Sequence, residues 1–192
     1  TSGVILVAKT QEAHKFLKEQ FQNRKVEKIY NAVVVGKFSD DLIAENTWQI
    51  IDRPIGRSSG DFRKWSADHS AKGELREAVT EYKVLGQGNN PLNPPYIKGE
   101  TEKWFAYVEL KPKTGRTHQI RVHMKSISHP VVMDKLYGTK DSFLESGILG
   151  FNRLALHALS IKLELPSGAH ITIESPLPIE FQTAKNLLKN FK

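Results

Sequence analysis

Gly115-Arg116-Thr117-His118-Gln119-Ile120-Arg121-Val122-His123 joins two patterns of different period, and that junction decides the fold class. Before it, residues 103–110 alternate apolar and polar side chains as a strand does, with Trp104 and Phe105 interrupting the alternation. After it, Ile120, Met124 and Ile127 recur at i, i+4 and i+7, the spacing of one helical face, and Arg121 and Lys125 then share another. Gly115 is suited to end the strand, and Thr117 to cap the helix. The stretch is also basic. Lys111, Lys113, Arg116, Arg121 and Lys125 fall within it or beside it, with His118 and His123, and no acidic residue occurs between Glu109 and Asp134. A helix start with that many cations suits a phosphate, because backbone N–H groups and side chains point the same way. The same charges also describe a solvated surface helix.

Outward from this junction, the chain alternates β-rich and helical segments without strict order. Thr10 can cap a helix over residues 11–23, with Ala13, Phe16, Leu17 and Phe21 as its apolar stripe. Residues 27–36 form a β-rich run ended by Gly36, and another strand lies near residues 47–51. Residues 52–76 show little periodicity and are expected to be a long loop, either functional or a floppy soluble excursion. That loop carries Arg53, Arg57, Arg63, Lys64, Lys72 and Arg76 around Phe62 and Trp65, a mixture suited to phosphates and stacked bases. Residues 78–85 read as a strand, and residues 86–99, with Pro91, Pro94 and Pro95, as a loop. Residues 154–165 and 169–174 make a hairpin around Ser167-Gly168, and residues 178–188 a last helix with Pro178 in its first turn. The expected class is α+β with a largely antiparallel mixed sheet flanked by helices.

Composition narrows the function. The chain has 192 residues, 39% hydrophobic and 26% charged, which suits one domain with a real core. A net charge of +7 favours a polyanionic partner, of which nucleic acid is the commonest. The absence of cysteine excludes disulfides, thiolate metal sites and a cysteine nucleophile. No run of 18 apolar residues suggests a membrane span, no secretory leader is visible, and a cytoplasmic location is the default expectation. Residues 4–8 read as a strand buried on both faces immediately after Thr1-Ser2-Gly3, which suggests that preceding residues are missing.

Five segments in order resemble the RluA-type pseudouridine synthases. They are residues 1–10, 26–36 and 115–123, then His129-Pro130-Val131-Val132-Met133-Asp134-Lys135-Leu136-Tyr137-Gly138 and Arg153-Leu154-Ala155-Leu156-His157-Ala158. The resemblance implies a pseudouridine synthase fold and an enzyme that isomerises chosen uridines of ribosomal or transfer RNA. It implies no cofactor, no metal and no membrane, and suggests a monomer. The family's catalytic aspartate lies in a His-Arg-Leu-Asp-x-x-Thr-Ser-Gly segment. Thr1-Ser2-Gly3 resembles its end, so the aspartate would lie three positions before Thr1. Residues 1–192 then correspond to a catalytic domain without its first part. By the same resemblance Tyr30 stacks on the flipped uracil, Arg121 pairs with the aspartate, and Leu156 packs beneath the site. Arg116, His118, Lys125, Arg63, Lys64 and Trp65 are the candidate RNA contacts.

Rival readings remain at this level. A degenerate relative with the basic cleft but no aspartate would bind RNA without chemistry. A metal-dependent hydrolase would use His118, His123, His129 or His157, but His118 and His123 are five apart and do not form an i, i+4 ligand pair. Arg57-Ser58-Ser59-Gly60 lacks the Gly-Lys-Ser/Thr ending of a nucleotide loop.

Overall fold

Glu27–Val35 (β2) is the strand around which the molecule is organised, because the run Ala32-Val33-Val34 is wholly buried. The computed structural model describes residues 1–89, 104–139 and 149–189. On one side β2 pairs antiparallel with Trp104–Pro112 (β8), which pairs with Val79–Asn89 (β7), which pairs with Gln49–Asp52 (β3). On the other side β2 pairs antiparallel with Leu156–Glu164 (β9). The far edge of β9 is shared by His170–Glu174 (β10), antiparallel, and by Ser2–Gly3 (β1), parallel. The result is a seven-stranded sheet, almost wholly antiparallel, as the patterns predict.

Helices cover both faces. The first, Gln11–Gln22 (α1), begins where predicted, with the Thr10 hydroxyl accepting from the Ala13 amide at 3.2 Å. A short helix, Asp40–Ala44 (α2), was not foreseen, since five residues are too few to show a period. Gln119–Ser126 (α3) buries Ile120 and Met124 in the main core, as their spacing requires. Ile179–Lys189 (α4) buries Phe181, Ala184 and Leu188 in that same core. Among the described residues, no helix is long and apolar enough to cross a membrane.

Three local expectations are corrected. Residues 4–8 are not a strand: pairing stops at Gly3, and Ile5 and Val7 are 85% and 73% exposed while Val4 and Leu6 pack against a side cluster. Their apolar character is satisfied on one side only. Residues 52–76 are not a loop. They form a second sheet, Trp65–Ser66 (β5), Ile55–Ser58 (β4) and Ala71–Arg76 (β6), in the order β5-β4-β6. It is half exposed, so few apolar residues mark it, and of its hydrophobic side chains Ile55 is buried, packed with Ala78, Val122 and Tyr137. Finally, β7 runs on to Asn89, past the expected end at residue 85; the rest of the expected 86–99 loop lies outside the described residues.

Candidate active site

Strand alternation places Tyr30 and Leu156 together. Tyr30 faces Ala158 and Ala32 faces Leu156 across the β2–β9 ladder, so all four share one face of the sheet. The intervening Asn31–His157 pair points to the other face, where the His157 ring lies 5.6 Å from Phe181 of α4. The register jumps from Ile29–Ser160 to Tyr30–Ala158, leaving Leu159 as an extra residue. Lys28 and Tyr30, two apart on the unbulged strand, share the cleft face by ordinary alternation.

The turn from β8 into α3 closes the site. Thr117 is not the cap, correcting the sequence expectation. His118 holds that position in the left-handed conformation (φ 55°) without a side-chain cap bond, and Thr117 is exposed. The turn is instead fastened by Gln119, whose Oε1 accepts from the Arg116 amide at 2.9 Å and the Thr114 hydroxyl at 2.7 Å. Its amide group donates to the Val79 carbonyl and Thr80 hydroxyl. This buried knot fixes where α3 begins, and hence where Arg121 stands. The Arg116 amide is thereby engaged.

Arg121 is held by a group that the sequence reading left without a role. Its Nε and Nη2 donate to the two carboxylate oxygens of Asp134, each at 2.7 Å. Asp134 is fully buried and also accepts from the amides of Leu136 and Tyr137. Burial pushes the Asp134 carboxyl up, but the Arg121 bonds and the two amides outweigh it and hold the group below the ordinary aspartate value. The Tyr137 ring carries the guanidinium at 4.9 Å from its centroid. Tyr137 Oη accepts from the Trp65 amide at 3.0 Å and lies 3.0 Å from His118 Nδ1. A signal for this cluster existed in the sequence: Asp134 is the first carboxylate after a long acid-free, basic stretch. Two Asp134 bonds leave three of the five guanidinium N–H groups for a second acceptor.

A cleft of about 480 Å³ gathers Tyr30, Arg121, Leu156, Arg116 and His118, with Thr1 at its wall. Thr1 arrives there because Ser2 and Gly3 pair with His157 and Ala158, and Ser2 Oγ lies 2.9 Å from His157 Nδ1. Burial pushes the Tyr30 phenol up, so it is un-ionised at neutral pH. The other candidates lie elsewhere. Lys125 is exposed, outside the cleft lining. Arg63 is bonded through two nitrogens to Asp61, which Lys64 also approaches at 3.8 Å. Trp65 stacks under Arg57 at 4.2 Å and is joined to the site through the Tyr137 hydroxyl.

The four histidines do not converge. His123 bonds Thr80 and the Arg53 carbonyl, His129 bonds the Val35 carbonyl, His157 meets Ser2, and His118 meets Tyr137. Burial pushes His118, His123 and His129 down, favouring their neutral forms when folded. Below about pH 6.5 the unfolded chain therefore takes up protons that the folded one refuses, and stability falls with pH. Asp134 acts in the same sense further down, its contribution being lost as pH falls through its depressed folded value. The urea midpoint is expected to drop steadily between about pH 7 and pH 5; a constant midpoint over that window contradicts the buried neutral histidines.

Residues 1–126 match the family described as RNA pseudouridylate synthase. The chain belongs to that family. Among pseudouridine synthases similar to it, the ribosomal large subunit pseudouridine synthase D of Pseudomonas aeruginosa is 35% identical over 98% of this chain and 54% of its own length. An uncharacterized RNA pseudouridine synthase of Bacillus subtilis is 36% identical over 99% of this chain and 54% of its own. The chain thus spans about half the length of these relatives. Human RNA pseudouridylate synthase domain containing 1 superposes with a TM-score of 0.69 at 27% identity, covering 90% of this chain and 63% of that one. The α+β class expected from the pattern, and the pseudouridine synthase fold that the resemblance implied, are the fold observed.

Proposed function

We propose that the whole protein isomerises selected uridines in RNA to pseudouridine, and that residues 1–192 are its catalytic domain without the aspartate segment. The observation that carries this reading is the meeting of Tyr30, Arg121 and Leu156 in one cleft with Thr1 at its wall. A carboxylate three residues before Thr1 is within about 10 Å of that wall, since each residue spans at most about 3.3–3.6 Å. It would enter beside the Arg121 N–H groups that Asp134 leaves over. In the reaction the uracil N1–C1′ bond breaks, the base turns, and a C5–C1′ bond forms. The C5 proton leaves to water and N1 gains one, so no electrons are exchanged and no cofactor or metal is required.

Each residue has a task. A uridine in folded RNA must leave its stack before its glycosidic bond is reachable. Tyr30 offers it an aromatic face. The un-ionised phenol donates a hydrogen bond and is a weak proton acceptor. Leu156 floors the slot and keeps water out. Arg121 holds the incoming carboxylate ionised and oriented. Arg116 and His118 line the cleft mouth, and Lys125, Arg63, Lys64 and Trp65 make outer RNA contacts. The names of the relatives favour large-subunit ribosomal RNA as substrate over transfer RNA. A cytoplasmic monomer is the form in which we place it.

The test uses RNA carrying tritium at uridine C5. The whole protein releases tritium to water, and Tyr30→Phe slows release while leaving RNA affinity nearly unchanged. Tight binding to ribosomal and transfer RNA without release would replace this proposal with a non-catalytic RNA-binding role.

A further inference from the structure

A second groove, of about 430 Å³, opens from the reactive cleft and shares Phe21, Lys28 and Arg116 with it. It runs between the C-terminal half of α1 and the turn that follows β8. Its cations are Lys18, Arg24, Lys28, Lys113 and Arg116, and among the described residues no carboxylate lines it. Phe21 lies on its wall with 42% of its surface exposed, presenting an aromatic face to the groove. Lys28 is the hinge between the two spaces. It lines both, two residues before Tyr30 on the same face of β2, with its Nζ 5.8 Å from the Phe21 ring centroid and donating to the Thr114 carbonyl at 3.3 Å.

We infer that this groove is a subsite for the RNA strand beside the flipped uridine, with Lys28 and Lys18 on its phosphates and Phe21 stacked on the neighbouring base. The inference rests on the proposed RNA substrate and gives that substrate a path. A half-buried ammonium whose contacts are a carbonyl oxygen and an aromatic ring is an incompletely matched charge, and a phosphate oxygen completes it. Burial pushes the Lys28 amine down, and a bound anion reverses that push. At the rim, Arg24 pairs with Glu77 at 2.8 Å and Lys113 with Glu81 at 2.9 Å. These pairs are partly exposed, and such pairs are weak enough to yield to a polyanion. Cations with an exposed aromatic face are what single-strand binding without base readout requires. The spacing also fits the chemistry: the base enters the slot at Tyr30 while its own backbone stays in the adjoining groove.

The experiment measures binding of the whole protein to a labelled oligouridylate of about 15 nucleotides, near the upper end of single-strand site sizes, over a range of salt. Wild type shows a steep salt dependence. The double variant Lys18→Gln/Lys28→Gln reduces the log–log slope by about 1.4, since each phosphate contact on a single strand contributes about 0.7. Phe21→Ala weakens binding about tenfold at every salt concentration. Lys185→Gln, on α4 across the sheet, leaves the slope at the wild-type value. Lys18 and Phe21 lie on the outer surface of a capped helix, so their variants fold even if the Lys28 change perturbs β2. If wild type is salt-dependent but Lys18→Gln and Phe21→Ala bind as it does, the groove is overturned and the RNA substrate stands. If wild type itself shows no salt-dependent RNA binding, the RNA substrate fails first.

Discussion

Arg121→Ala in the whole protein loses turnover by about a thousandfold or more, the scale of removing a preorganised charge partner from a reacting centre. It also loses roughly 3–5 kcal/mol of stability, because Asp134 is left charged and fully buried. The two losses have separate causes, and a paired replacement separates them. In Arg121→Met/Asp134→Leu both charges are gone, so most of the stability returns. Turnover does not return, because the incoming carboxylate still lacks its guanidinium. Arg121→Lys also stays slow, since an ammonium cannot fork between two carboxylates as a guanidinium does. Tritium release and urea titration of the three variants check this. Wild-type turnover in Arg121→Met/Asp134→Leu would make the ion pair a structural strut and remove Arg121 from the chemistry.

Gly3→Ala abolishes turnover by a different route. Gly3 has φ +108°, and a Cβ there would stand 2.1 Å from the Ala158 carbonyl oxygen, so the side chain clashes with backbone that cannot give way. Strand β1 must then leave β9, taking with it the Val4–Ala158 backbone bond and the Ser2–His157 contact. Thr1 leaves the cleft wall, and whatever is attached before it is misplaced. Displacement of a reacting group by about 1 Å costs on the order of a hundredfold in rate. Because β1 is a two-residue edge strand and Val4 and Leu6 beyond it touch only a side cluster, the main core is untouched, and the melting temperature falls only slightly beside the loss of rate. Normal release by this variant would show that the catalytic carboxylate does not arrive along β1.

Much of the fold was legible because it is local. The Thr10 cap and the β9–β10 hairpin satisfy their hydrogen bonds within a few residues of themselves, and the buried run in β2 and the i, i+4, i+7 spacing in α3 show as short-range patterns in the sequence although their partners are distant. The five family-like segments added Tyr30, Arg121 and Leu156. Their gathering into one cleft needed strand register, and a one-residue change of register at the β2–β9 bulge would send Leu156 to the other face.

What the residues by themselves determined is therefore the class of fold and the family; for a flipped uridine they supplied a list of candidate side chains. The tertiary structure decided which of them meet. It tied Arg121 to Asp134, left His118 rather than Thr117 at the helix start, built residues 52–76 into a sheet, and stopped pairing at Gly3. The reason is separation along the chain. Ser2 meets His157 across 155 residues and Trp65 meets Tyr137 across 72, and no local period encodes such pairings. They form only because burying the shared core brings those backbones together, and their hydrogen bonds must then find partners where they stand.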